Sequence, residues 1–181
     1  MDLSDNDQAI LDGGYDLILN EGNFDIPGLI ARTLGRNDLL LSASPAYLAE
    51  RGTPRRVEDL AGHAAIVFRL PTSGRDRPWQ LRQRGKALEI SPTPQVRISE
   101  TEGLLEALRL GLGLCQLPDM LVQDDIARGT LLELLPSCRP EPMPIHLVVP
   151  SGRMLPARVR AALDVLGALR QRHGATDKLA R

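Results

Sequence analysis

The chain has 181 residues, of which 43% are hydrophobic and 25% charged, so it fits one domain or two small ones around a sizeable core. A formal net charge of -1 excludes a global positive field that would draw the chain to nucleic acid or anionic lipid. No apolar run reaches the roughly 18 residues of a bilayer span, and the acidic start MDLSDNDQ lacks the basic and apolar regions of a secretion signal. A cytoplasmic location is expected. Cys115 and Cys138 lie far apart, with no C-x-x-C and no histidine at zinc spacing, so no metal is expected and Cys115, in the apolar run GLGLCQLP, reads as a buried thiol.

Taken in chain order, Asp5 to Leu11 reads as a short helix with Ser4 as N-cap and Gly13-Gly14 as its stop. Tyr15 to Leu19 is a strand, and Asn23 to Gly28 a loop. Asn37-Asp38 has the chemistry of a hairpin turn before the buried run Leu39-Leu40-Leu41. Pro45 to Arg51 is a helix, with Ser44 at the N-cap, Pro45 in the first turn and Gly52-Thr53-Pro54 as the break. Val57 to His63 is a second short helix and Ala65 to Arg69 a strand, followed by a mobile loop over Leu70 to Pro78.

Trp79 to Arg82 and Ala87 to Ile90 form a hairpin turned at Arg84-Gly85-Lys86. Val96 to Ser99 is a strand. Thr101 to Leu110 is a helix whose apolar side is marked by Leu104, Leu105, Leu108 and Leu110, and Gly111 and Gly113 end it. Leu114 to Leu117 is a buried strand, Asp119 to Arg128 a helix stopped by Gly129, and Leu131 to Leu135 and Ile145 to Val149 are strands. The last helix, Pro156 to Arg172, turns Val159, Leu163, Leu166 and Leu169 inward and Arg158, Arg160, Arg170 and Arg172 to water; from Gly174 the tail frays. This alternation of strands and helices argues for α/β sheets.

Several blocks stand in the order seen in one family. GYDLILNEG, LLLSASPAYLAERGTP, VEDLAGHAAIVF, GLLEALRLGLGLCQLPDMLV, LLELLP and PIHLVVPSGRMLPARVRAALDVL together resemble the effector-binding domain of LysR-type transcriptional regulators, over roughly Leu11 to Arg172. The resemblance implies an α/β, two-lobed fold like that of type 2 periplasmic binding proteins. Lobe one would hold residues 1–42 and 148–181, and lobe two residues 43–147, with hinge crossover strands near Leu41 and Val148. Against the family's pattern, the first strand and helix of the effector domain and the winged helix-turn-helix are expected to be absent, which would leave lobe one incomplete at its N-terminal side. Asn20 stands where an arginine is common in the family.

The resemblance also implies a small, anionic effector held between the lobes by helix N-termini and polar loop groups. The candidate contacts are Ser42 and Ser44, Phe68 and Arg69, and Ser99 and Thr101. Each has a structural reading beside the functional one. Ser44 serves equally as an N-cap; Arg69 either clamps a carboxylate or pairs on the surface; Thr101 either contacts ligand or caps its helix, which would leave Ser99 as the contact. Trp79 reads as core.

No catalytic role is expected. Gly111-Leu112-Gly113 has Gln116 where a dinucleotide loop needs its third glycine, and these glycines follow a helix where a phosphate loop would precede one. There is no G-x-S-x-G or P-loop, His63, His146 and His173 lie on different elements, and Asp124-Asp125 diverge on a helix. The expected function is effector sensing in a transcription factor, with no cofactor and with DNA reached only through a helix-turn-helix outside this chain. The full regulator would be a homo-oligomer. The alternatives are a free-standing small-molecule binder and a non-functional truncated regulator.

Overall fold

A computed structural model describes residues 16–21, 26–71, 73–151 and 156–173. The helix expected over Asp5–Leu11, its Ser4 cap, the Gly13-Gly14 stop, most of the Asn23–Gly28 loop and the tail from Gly174 lie outside the described residues. So do the side chains of Leu169, Arg170 and Arg172.

The chain forms two compact units: one holds Met1–Asn37 and Met143–Arg181, the other Asp38–Pro142. Unit one is an antiparallel sheet in which β10 (Met143–Pro150) lies between β1 (Ile18–Glu21) and β2 (Leu29–Asn37). Helix α4 (Ala157–His173) packs on it, with Val159 and Leu163 meeting Leu147 and Val149. Arg158 donates to both carboxylate oxygens of Asp16, an exposed pair of small energetic weight. The strand over Leu29–Asn37 escapes a reading by periodicity because Arg32, Gly35 and Arg36 interrupt its apolar alternation.

Unit two begins at Asp38. Strand β3 (Leu39–Ala43) lies antiparallel between β8 (Cys115–Pro118) and β9 (Leu132–Leu134). Strand β4 (Ala65–Phe68) pairs in parallel with β7 (Pro94–Ile98). The bridge Ala65–Leu114 joins these two sheets, with Leu114 N–H donating to the Ala64 carbonyl at 2.8 Å and Ile66 N–H to the Leu114 carbonyl at 2.9 Å. The strand order across unit two is therefore β9-β3-β8-β4-β7.

All five residues of β3 are buried, the signature of a strand covered on both faces. Leu41 and Ala43 face a cluster with Tyr47, Leu48, Val57, Leu60, Trp79 and Leu81; Leu40 faces Ile66, Leu104, Leu108, Leu117 and Val122. One layer thus holds α1 (Pro45–Arg51), the 3-10 turn Val57–Gly62 and the hairpin β5 (Trp79–Gln83)/β6 (Lys86–Ile90). The other holds α2 (Thr101–Arg109) and α3 (Asp119–Arg128).

Two local expectations are corrected, and the short helix expected from Val57 is found. Asn37-Asp38 does not turn a hairpin, because β2 and β3 belong to different sheets; it is the passage from unit one to unit two. Leu110 is not on the buried side of α2 but 75% exposed, since Ala107 completes the i, i+3, i+4 set with Leu104 and Leu108. Val57–Gly62 is a 3-10 helix, held at its start by Asp59, whose carboxylate accepts from the N–H groups of Arg55 and Arg56.

The hairpin turns on two residues, Arg84 and Gly85, with φ of 50° and 78°. Both angles are positive, as a type I′ turn requires. Arg84 sits there with a Cβ that disfavours this conformation. Arg84→Asn is expected to raise stability by roughly 0.5 kcal/mol, seen as a higher urea midpoint with an unchanged slope. A lower midpoint would refute the assignment of strain to this turn.

Candidate functional site

The direction of β3 decides which candidate residues can act together. In the register, Leu39 is opposite Pro118 and Ser42 opposite Cys115, so β3 ends where β8 begins. Strands β4 and β7 run with β8. The C-terminal ends of β4, β7 and β8 therefore share one sheet end with Leu39, while Ser42 and Ser44 reach the opposite end. At about 3.3 Å per residue the two ends are on the order of 10 Å or more apart.

Phe68, Arg69, Ser99 and Thr101 are brought together at the first end. Phe68 is paired with Ile98, and Arg69 N–H donates to the Ile98 carbonyl at 2.9 Å, so Arg69 and Ser99 leave neighbouring strand ends about 5 Å apart. Phe68 is half-buried and packs toward the cluster beneath α2, whereas Arg69, Ser99 and Thr101 are exposed. Arg69 Nε donates to the Gly74 carbonyl at 3.1 Å, which orients the guanidinium. Among the described residues its two terminal nitrogens have no acceptor.

The segment after Arg69 folds back on this end. Leu70 N–H donates to Arg75 O, Gly74 N–H to Leu70 O and Arg77 N–H to Phe68 O. Arg97 on β7 grips both carboxylate oxygens of Asp76 from Nε, at 3.1 and 3.0 Å. Helix α2 starts beside Ser99, with Glu100 at its N-cap and no side chain accepting from its first turn. Thr101 is thus the first helical residue and not the cap, and the first N–H groups of α2 are left for another acceptor. Glu100 and Glu102 are exposed around the same turn.

Ser42 and Ser44 stand apart from this group. Ser44 is the N-cap of α1, its Oγ accepting from Tyr47 N–H at 3.3 Å, and it is buried. Ser42 is fully buried, and its Oγ has no hydrogen-bond partner among the described residues. It lies opposite Cys115, whose thiol burial pushes up to about 12, which holds the sulfur protonated and inert. What separates the serines from the other four is strand direction, which residue type and spacing do not reveal.

At the same end as Arg69 lies a charge group that sequence reasoning missed. Asp38 opens β3, Asp119 opens α3, and Asp119 N–H donates to the Asp38 carbonyl at 2.8 Å. Arg139 Nη1 stands 3.8 Å from Asp38 Oδ2 and pairs with Glu133 at 2.6 Å. Burial, with Asp38 nearby, raises the Asp119 carboxyl above its ordinary range. Asp38 lies more than 80 positions before Asp119, Glu133 and Arg139 in the chain, so only pairing of β3 with β8 and β9 brings it to them. Among the described residues no group of three His, Cys, Asp or Glu side chains could hold a metal, and no helix is long and apolar enough to cross a membrane.

Residues 2–171 match the family model for the LysR substrate binding domain. The HTH-type transcriptional regulator CrgA of Neisseria meningitidis serogroup C is 35% identical over 159 residues, covering 87% of this chain and 52% of CrgA. The solved regulatory domain of CrgA superposes with a TM-score of 0.80 at 32% identity, covering 91% of this chain and 80% of that one. The regulatory domain of AphB from Vibrio vulnificus gives 0.72 at 27% identity, covering 86% and 76%. The chain spans about half the length of the curated relatives it matches, which are transcriptional regulators. Its mixed α/β structure has the two-lobed, periplasmic-binding-protein-like fold of these regulatory domains. On the match across nearly its whole length, the chain belongs to the LysR substrate binding domain family.

Proposed function

We propose that the chain is the effector-sensing part of a LysR-type transcriptional regulator, working in the cytoplasm without catalysis of its own. The observation that carries the site is the pairing at one sheet end of an oriented arginine, Arg69, with the uncapped start of α2 beside Ser99. Helix N–H groups and a guanidinium together favour an anion. Glu100 and Glu102 around the same turn favour hydroxyl or amine donors on that molecule. The effector class is therefore a small carboxylate that also carries donor groups. In the whole regulator, such a ligand changes how a homo-oligomer sits on DNA only through unequal affinity for two arrangements of the protein.

Thermal stabilisation by a panel of hydroxy acids and amino acids tests this reading. At least one is expected to raise the melting temperature dose-dependently. Arg69→Ala should then weaken its binding roughly tenfold or more, the loss of a charge-assisted hydrogen-bond pair. Stabilisation that Arg69→Ala leaves untouched would remove Arg69 from the site. The chain by itself is expected to give no sequence-specific shift of promoter DNA, since net charge -1 offers no basic stripe.

A further inference from the structure

At the other end of unit two, away from Arg69 and Ser99, the 3-10 turn Val57–Gly62 and the 91–93 connection flank a pocket of about 260 Å³ that is partly open to solvent. Both segments precede their strands, β4 and β7, which places the cavity at the end where those strands begin. Val57, Leu60 and Trp79 are buried and form an apolar floor; Glu58, Ser91 and Thr93 are exposed and form a polar rim. An apolar cavity of about 150 Å³ takes up benzene, so this one has room for a single aromatic ring with a substituent.

Two polar groups at this cavity have defined roles. Tyr47 Oη accepts the Ala64 N–H at 2.8 Å and shares a hydrogen bond with His63 Nδ1, 3.2 Å away. In the tautomer in which Tyr47 donates to Nδ1, His63 carries a proton on Nε2, which has no acceptor among the described residues and can donate to a ligand. Glu58 accepts from Gln83 Nε2 at 2.9 Å. Hydrogen bonds from its own backbone and from Gln83 hold its carboxyl below the ordinary range, so it stays an ionised acceptor.

We infer that this cavity is a second small-molecule site, distinct from the sheet end at Arg69, for a neutral aromatic bearing a hydroxyl. The ring lies against Trp79 and Leu60, the hydroxyl oxygen accepts from His63 Nε2–H, and its proton is donated to Glu58. Two features separate the two sites chemically. The Arg69 end favours carboxylates, whereas ionised Glu58 at this rim repels them. A hydroxyl can satisfy both a donor and an acceptor, which a carboxylate cannot.

Trp79 is the sole tryptophan of the chain, so its fluorescence reports on this floor directly. Phenol titrated into the full chain is expected to give a saturable change, with benzoate binding at least roughly tenfold more weakly. Glu58→Gln should narrow that difference by removing the charge. Ala61→Phe, which fills the mouth of the cavity, should weaken phenol binding at least roughly tenfold, while Arg69→Ala should leave it unchanged. Amide chemical-shift changes in the unmodified chain are expected at Val57–His63 and Ser91–Thr93. The inference is overturned if phenol gives no saturable change, if benzoate binds as well as phenol, or if the shifts cluster at Arg69 and Ser99.

Discussion

Gly113→Ala is expected to cost at least about 3 kcal/mol, a large part of an ordinary domain's stability, or to prevent soluble expression. A Cβ at this position would lie 2.4 Å from the Ala64 carbonyl oxygen and 2.9 Å from its carbon, with φ at +156°. Those are backbone atoms, so no side-chain rotation relieves the contact. The same carbonyl accepts the Leu114 N–H in the bridge that joins β8 to β4. Any shift that makes room therefore pulls at the seam uniting the β9-β3-β8 and β4-β7 sheets of unit two. Urea unfolding of the variant measures the loss, and a midpoint matching the parent chain would show that this approach is not close in solution.

Asp125→Ala is expected to destabilise by about 2 kcal/mol, on the scale of a buried charged hydrogen-bond group lost with its partners left behind. The Asp125 side chain is 4% exposed and accepts from Arg109 Nη2 at 2.6 Å and from Thr130 Oγ1 at 2.6 Å. Its own carbonyl accepts from Thr130 N–H at 2.9 Å beyond the left-handed Gly129 cap. One residue thereby ties α2, the end of α3 and the approach to β9. Arg109 is 36% exposed and regains water when its partner is removed, which keeps the loss below that of a fully enclosed pair.

The effect carries a pH signature. Hydrogen bonds from Arg109, then from Thr130, hold the Asp125 carboxyl down to about 2 from an ordinary 3.8. A carboxylate lowered on folding adds stability that is complete above the unfolded value and is lost as pH falls from there through the folded one. The parent chain should therefore lose stability between about pH 5 and pH 2 more steeply than Asp125→Ala, with the two curves converging in acid. Parallel curves across that range would mean that the carboxylate is not the source of the difference.

Asp125 also shows where reading the chain stops. Adjacent Asp124 and Asp125 diverge on a helix by geometry alone, and the exposed Asp124 beside the buried Asp125 agrees with that. Which of the two turns inward, and that Arg109 waits there, depends on how α2 and α3 lie side by side on the sheet. Strand and helix types are local matters, set by side-chain periodicity, caps and turn glycines. The Ser44 cap of α1 and the Gly129 stop stand where their residue types place them, whereas Arg84 takes a positive φ that its Cβ disfavours. β2 was hidden, because Gly35 and two arginines obscure its alternation and its pairing with β10 comes from more than 100 residues away, roughly.

The candidate site divides along the same line. The order of blocks along the chain was enough to identify the family, because that order records which segments become strands and which become helices. It was also enough to bring forward Phe68, Arg69, Ser99 and Thr101, each at the end of a strand or the start of a helix. It could not reveal that Ser42 and Ser44 face the other end of the sheet. That follows from β3 running against β4, β7 and β8, and strand direction is a property of pairing between distant segments. The pocket floored by Trp79 is of the same kind: its floor and rim come from three separate stretches of chain, and only packing of the hairpin over the sheet puts a histidine, a carboxylate and an indole around one space.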